Sequence, residues 1–125
     1  MKLRIISPDA HGVIDYGAGA GLMVLPFILG LGDSSNLAIW VSVIMGAAVW
    51  LVSALTDYKL ALFRAIPFDG HLAIDLAAAT LFMLSPFIFH FEGIDANYYL
   101  ANAAIVYLVV ALTASKTITK NDKHS

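Results

Sequence analysis

A chain of 125 residues is one domain's worth, but 60% of it is apolar and only 13% charged. Soluble domains carry roughly 25% charged residues, so this one has too little charge to clothe a water-soluble globule of its size. The formal charge of −2 offers no basic face for nucleic acid, and the lack of cysteine excludes disulfides, thiolate ligands and thiol chemistry.

A lipid-facing surface removes the difficulty, and the mean hydropathy of +0.82 agrees with it. The N-terminal MKLRIISPDAHG is positive but has no apolar run ahead of a small-residue cleavage site, so it reads as a mature start. Ser7-Pro8-Asp9 has the makings of a helix start: a side-chain cap, a proline at the first helical position and an acid at the positive dipole end. The chain is then free of charge from Tyr16 to Gly32, 17 residues. About 20 are needed to cross a hydrocarbon core. The first helix is therefore expected to begin near residue 8 and to take His11 and Asp15 into its first two turns.

The second charge-free stretch, Ser34 to Thr56, spans unaided. Ile66-Pro67-Phe68-Asp69 repeats the start signal. The third helix, charge-free only from Leu76 to Phe91, is expected to begin near residue 67 and to include His71 and Asp75. The fourth, Ala96 to Ser115, again spans unaided. None of these runs has a polar face, which argues against a soluble four-helix bundle. The expected fold is an all-α integral membrane four-helix bundle.

All seven Lys and Arg lie in the N-terminal tail (Lys2, Arg4), the middle loop (Lys59, Arg64) or the C-terminal tail (Lys116, Lys120, Lys123). The other two loops hold Asp33, Glu92 and Asp95 and no base. The positive-inside rule puts both termini and the middle loop in the cytoplasm. Trp40, Tyr98 and Tyr99 then fall near the outer membrane face, and Trp50, Tyr58 and Tyr107 towards the inner one.

The chain repeats itself. HGVIDYGAGAGLMVLPFI (11–28) matches HLAIDLAAATLFMLSPFI (71–88) at a shift of 60, with His11/His71, Asp15/Asp75, Met23/Met83 and Pro26/Pro86 in register. Beyond the prolines the shift becomes 57, aligning Leu51–Thr56 with Leu108–Thr113 and Trp50 with Tyr107. The first outer loop is thus expected to be longer by three residues. Generic hydrophobicity does not place rare polar residues and prolines in register. The reading is one membrane domain, 1–125, made of two tandem two-helix units, 8–56 and 67–115. An even number of spans inserts both units with one polarity, giving parallel repeats related by an axis along the membrane normal.

Leu84-Ser85-Pro86-Phe87-Ile88, followed by an outer loop and a second apolar helix, resembles the SPW repeat of small bacterial membrane proteins. Leu25-Pro26-Phe27-Ile28 is the weaker counterpart: Phe replaces Trp in both copies, and the first lacks the serine. The resemblance runs from about residue 8 to 115. It implies the tandem two-helix architecture and a multi-pass protein of the bacterial inner membrane, and leaves the chemistry open.

Four residues stand out as a candidate site. His11 with Asp15, and His71 with Asp75, are spaced i,i+4 and share a helical face. Meeting across the bundle, they would offer ligands for a divalent metal or a proton relay. The ordinary reading is that each aspartate satisfies a histidine and pins the two halves together, and it leads. Small residues at Gly17, Gly21, Gly46 and Ala78 fit close helix packing, and Pro26 and Pro86 fit helix kinks or ends. Asp57-Tyr58-Lys59 and Arg64 read as a patch for lipid head groups. His90, Glu92 and Asp95 read as a solvated loop, or a weak cation site. No phosphate loop, nucleophile elbow or zinc-protease motif occurs, so an enzyme is the least supported class.

Three functions remain open: a structural or accessory membrane protein that forms homo-oligomers in the bilayer; an ion- or metal-binding transport protein; and an enzyme acting on a lipid or quinone. A deep apolar cleft ending at the His/Asp residues would favour the third.

Overall fold

A computed structural model describes residues 6–56 and 61–124, the last stretch from 114 onward by its backbone only. Four helices follow one another: α1 (Pro8–Ile28), α2 (Leu37–Ala54), α3 (Phe68–Ile88) and α4 (Gly93–His124). Each is long and apolar enough to cross a membrane, α4 over Gly93–Thr113. Ile44, Leu51, Phe87, Ile105 and Leu108 are exposed on the outside of the bundle, where lipid replaces water. The protein is an all-α membrane bundle with no strand among its described residues.

The helix starts bring the histidines in. Ser7 Oγ accepts the backbone N–H of Ala10 at 3.1 Å, and Pro8 opens α1. Pro67 precedes α3 in the same extended conformation, without a side-chain cap. His11 N–H donates to Ser7 O at 2.8 Å and His71 N–H to Pro67 O at 3.0 Å, so each histidine closes the first turn of its helix.

The helix ends also correspond. Pro26 and Pro86 lie in the last turn, and the helices stop two residues later. Gly30 and His90 then turn left-handed (φ +69° and +59°), and Leu31 and Phe91 N–H return to the carbonyls of Pro26 and Pro86. Histidine is among the few non-glycine residues that tolerate this conformation. The loops after α1 and α3 cover residues 29–36 and 89–92. Because Pro26 has no N–H, the carbonyl of Leu22 loses its helical donor. The buried hydroxyl of Ser42 replaces it at 2.7 Å. That hydroxyl's proton is therefore committed, so Tyr98 O–H is the donor to Ser42 Oγ at 2.7 Å.

Within each hairpin the two helices lie close along their length, whereas the hairpins meet mainly through side chains. Trp50 N–H donates to the carbonyl of Tyr16 at 2.8 Å, joining α2 to α1. In the second hairpin Tyr107 O–H reaches the equivalent carbonyl, Leu76 O, through the hydroxyl of Thr80.

The half of the bundle next to these loops holds the core: Leu22, Leu31, Phe82, Phe91, Tyr98 and Tyr99 pack together, with ring centroids 4.9 Å apart for Phe91–Tyr99. Asp95 departs from the solvated-loop expectation. It is fully buried and accepts from Gly32 N–H, Ser34 N–H and Ser34 Oγ. The long first loop has backbone donors that need acceptors away from water, and this carboxylate supplies them. It locks the loop to the start of α4 and leaves no oxygen to spare for a cation.

Candidate metal centre

At the opposite end of the bundle, α1 contributes His11 and Asp15 and α3 contributes His71 and Asp75. Both histidines are essentially buried, at 0% and 1% exposure. One ring nitrogen or carboxylate oxygen from each of the four residues lies within 4.8 Å of every other. The closest contacts join Nε2 of each imidazole to Oδ2 of each carboxylate. His11 Nε2 is 3.2 Å from Asp15 and 3.0 Å from Asp75; His71 Nε2 is 2.6 Å from Asp15 and 3.2 Å from Asp75.

Two more side chains decide which way the imidazoles face. His11 Nδ1 is 3.1 Å from Thr113 Oγ1, and His71 Nδ1 is 2.6 Å from Thr56 Oγ1. Each threonine hydroxyl donates its proton to a carbonyl one turn back, Val109 O and Val52 O, at 2.7 Å. Its oxygen can then only accept, so both Nδ1 atoms carry hydrogen. In the neutral imidazole that leaves a lone pair on Nε2, aimed at the carboxylates. The connections cross between hairpins: the histidine of α1 takes its threonine from α4, and that of α3 takes Thr56, two residues past the end of α2.

The back of the centre is sealed by an aromatic ring. Phe68 stands edge-on to His11 with centroids 5.5 Å apart and stacks on His71 at 6.2 Å. The loop after α2 folds over the same end: Leu62 and Phe63 N–H donate to Ala54 O, and Ile66 N–H to Leu55 O at 2.7 Å. The carboxylates face the other way, into a cleft of about 80 Å³ between the hairpins, otherwise lined by Ile14, Ala18, Leu22, Phe82 and Val106 and, seven residues from Val109 on α4, by Asn102.

These dimensions suit an ion. The four N···O contacts, 2.6–3.2 Å, are of the size expected between ligand atoms that each lie about 2 Å from a shared ion. Zinc binds imidazole nitrogen and carboxylate oxygen at roughly 2.0–2.2 Å. Calcium needs about 2.3–2.6 Å and more oxygens. Two borderline nitrogens with two hard oxygens suit a divalent first-row transition metal. Imidazoles held through their far N–H by a second residue are the usual support of such centres.

The remaining sequence candidates are distributed as follows. An added Cβ on Gly46 would lie 2.6 Å from Gly19 O and 2.7 Å from Met23 Cγ, the closest helix approach in the first hairpin. Gly17 has open space there, Gly21 meets only Leu25 of its own helix, and Ala78 lines the cleft. Arg64 is on the folded-back loop beside the exposed Leu62 and Phe63, while Asp57, Tyr58 and Lys59 lie outside the described residues. Sequence reasoning gave Thr56, Thr113 and Asn102 no part in the site and did not single out Gly19 within the small-residue run 17–21. The threonines sat in register in the internal repeat, the one signal that pointed to them.

Neither the curated proteins nor the solved structures contain a significant match to this chain. The family model of the SPW repeat domain matches residues 9–117, and the protein belongs to that family.

Proposed function

We propose that this protein is a multi-pass membrane protein that binds one divalent transition-metal ion at His11, Asp15, His71 and Asp75. The observation that carries this is convergence. Four short contacts link two nitrogens and two oxygens, yet two protonated Nε2 atoms supply only two protons for four contacts. Asp15 Oδ2 is buried and accepts no aligned hydrogen bond. Atoms gathered round a point, with more short contacts than protons to fill them, are what an ion requires. The packed aromatic core fills the outer half, which favours a binder over a conduit.

The competing reading is a structural or accessory role, with two protons in place of the ion. The aligned His11 Nε2–Asp75 Oδ2 hydrogen bond at 3.0 Å favours it. In both readings we place the duplicated units 8–56 and 67–115 side by side in a bacterial inner membrane, with the centre on the cytoplasmic side, on the strength of the basic residues. Elemental analysis after mild-detergent purification separates the two. One metal per chain, lost in both Asp15→Asn and His71→Gln, supports the centre. Folded protein that takes up no zinc, cobalt, manganese or iron refutes it.

A further inference from the structure

The cleft between the hairpins runs from the two aspartates at one end to Leu22, Phe82 and Asn102 at the other. Seven residues on each of α1, α3 and α4 separate the two ends, about 10 Å at 1.5 Å per residue. Its walls are aliphatic and aromatic, and its floor is the carboxylate side of the centre, since the imidazoles are buried behind and Phe68 covers them. The closest contacts from the aspartates to the histidines are made by Oδ2. Both carboxylates line the cleft, and Oδ1 is the oxygen of each that these contacts leave over. A carboxylate whose charge is already balanced, by a metal ion or by imidazolium, can only accept hydrogen bonds there.

An apolar channel that ends on acceptors calls for an apolar molecule that ends on a donor. We propose that this cleft binds a lipid-soluble molecule headed by a hydroxyl group, which enters from the bilayer, donates to Oδ1 of Asp15 or Asp75 and lies with its hydrocarbon part along Ala18, Ala78 and Phe82. Asn102 marks the far end. Its side-chain N–H donates to Tyr98 O at 2.8 Å, and the amide is the one polar group facing the cleft away from the centre. Polar side chains at mid-membrane depth are costly and mark ligand paths. An ammonium head fits less well, because the centre is neutral overall and gives a full positive charge no counter-ion. The proposal does not depend on the metal, since Oδ1 is available whether an ion or two protons hold Oδ2.

The test uses the full chain in lipid nanodiscs, both as purified and after chelation, with binding read by native mass spectrometry and saturation-transfer NMR. The probes are 1-decanol, decyl methyl ether and decylammonium. Decanol should bind at one per chain, and the ether, matched in shape but without a donor, at least tenfold more weakly, the factor expected for one hydrogen bond to a charged group. Ala78→Leu fills the cleft beside Asp75 and should abolish decanol binding, and Asn102→Leu should leave the requirement for a donor intact. Equal binding of decanol and its ether would show an acyl-chain crevice only and overturn the proposal, as would decanol binding unchanged in Ala78→Leu or a preference for decylammonium. Should Ala78→Leu fail to fold, the decanol-to-ether ratio in the wild-type protein still decides. Loss of decanol binding on chelation would also overturn the proposal; decanol binding by folded protein that takes up no ion would remove the metal reading and leave this one standing.

Discussion

Replacing Thr113 by valine removes one oxygen and keeps the shape. The hydroxyl sits between His11 Nδ1, 3.1 Å away, and Val109 O, 2.7 Å away, and both His11 and Thr113 are fully buried. With a methyl group there, the Nδ1–H has no acceptor and no water to turn to, at about 1–3 kcal/mol. The ring escapes this by moving its proton to Nε2, but that places hydrogen on the atom that binds the ion. Either way metal binding bears the loss, and 1–3 kcal/mol corresponds to about 5- to 150-fold in affinity. Loss of an outer hydrogen-bond partner in metal sites typically gives about 10- to 100-fold. Thr113→Ser keeps the hydroxyl and should stay within about threefold of wild type. Thr56→Val should behave like Thr113→Val, and because the two threonines serve different imidazoles, the free energies of the double variant should add. Cobalt(II) titration of protein in mild detergent, followed by visible absorption and by zinc competition, measures all four. Wild-type affinity in Thr113→Val, or a serine variant as weak as the valine one, would refute the assignment of the threonines.

Gly46→Ala should destabilise the first hairpin by about 1–3 kcal/mol, since the new methyl would lie 2.6 Å from a backbone carbonyl oxygen. Gly17→Ala, with nothing near its Cβ, should be neutral or slightly stabilising by helix propensity; thermal unfolding in one detergent compares the two, and equal effects would overturn the packing argument. For topology, cysteines introduced as Asp33→Cys and Ile94→Cys should react with an impermeant maleimide applied outside intact cells, and Leu62→Cys only after permeabilisation. Labelling of position 62 from outside would reverse the proposed orientation.

The sequence announces the histidines and aspartates because polar residues are rare in these spans and recur in register, and because Ser7-Pro8 and Pro67 fix where their helices begin. The threonines are harder to read. A threonine near the end of a helix ordinarily satisfies itself on the carbonyl one turn back, as Thr56 and Thr113 both do. Only the tertiary arrangement shows that the oxygen left over faces an imidazole of the other hairpin. The alternating glycines of 17–21 show that α1 has a small face, but which of them meets α2 depends on helix rotation, and Gly19 is the one opposite Gly46. Asp95 misleads for a related reason: an acid in an outer loop looks solvated until the loop's own N–H groups are seen to close round it. The cleft belongs to no segment; it is what remains where two tightly zipped hairpins meet.

Duplication explains why the centre has the composition it does, and charge then fixes how it must behave. Each hairpin supplies one imidazole, one carboxylate and one threonine, and no hairpin holds a complete set. Two ionised aspartates would bring two negative charges into a buried place, where an unbalanced charge is costly. The threonines have already settled the Nδ1 atoms, so the balance must come from the Nε2 side. One divalent ion supplies it, and so do two protons, one on each Nε2. The two states have the same net charge and nearly the same atoms, and they exclude one another. Uptake of an ion should therefore expel two protons. Where protons occupy Nε2, lowering the pH by one unit should weaken apparent affinity by up to about 100-fold, acid competing with the metal and never assisting it. Titrating zinc into weakly buffered protein with a pH indicator counts the protons, and two per ion are expected. A count near zero would mean that the imidazoles already face the carboxylates as bare lone pairs without an ion, and the balance of charge argued from Thr56 and Thr113 would fail.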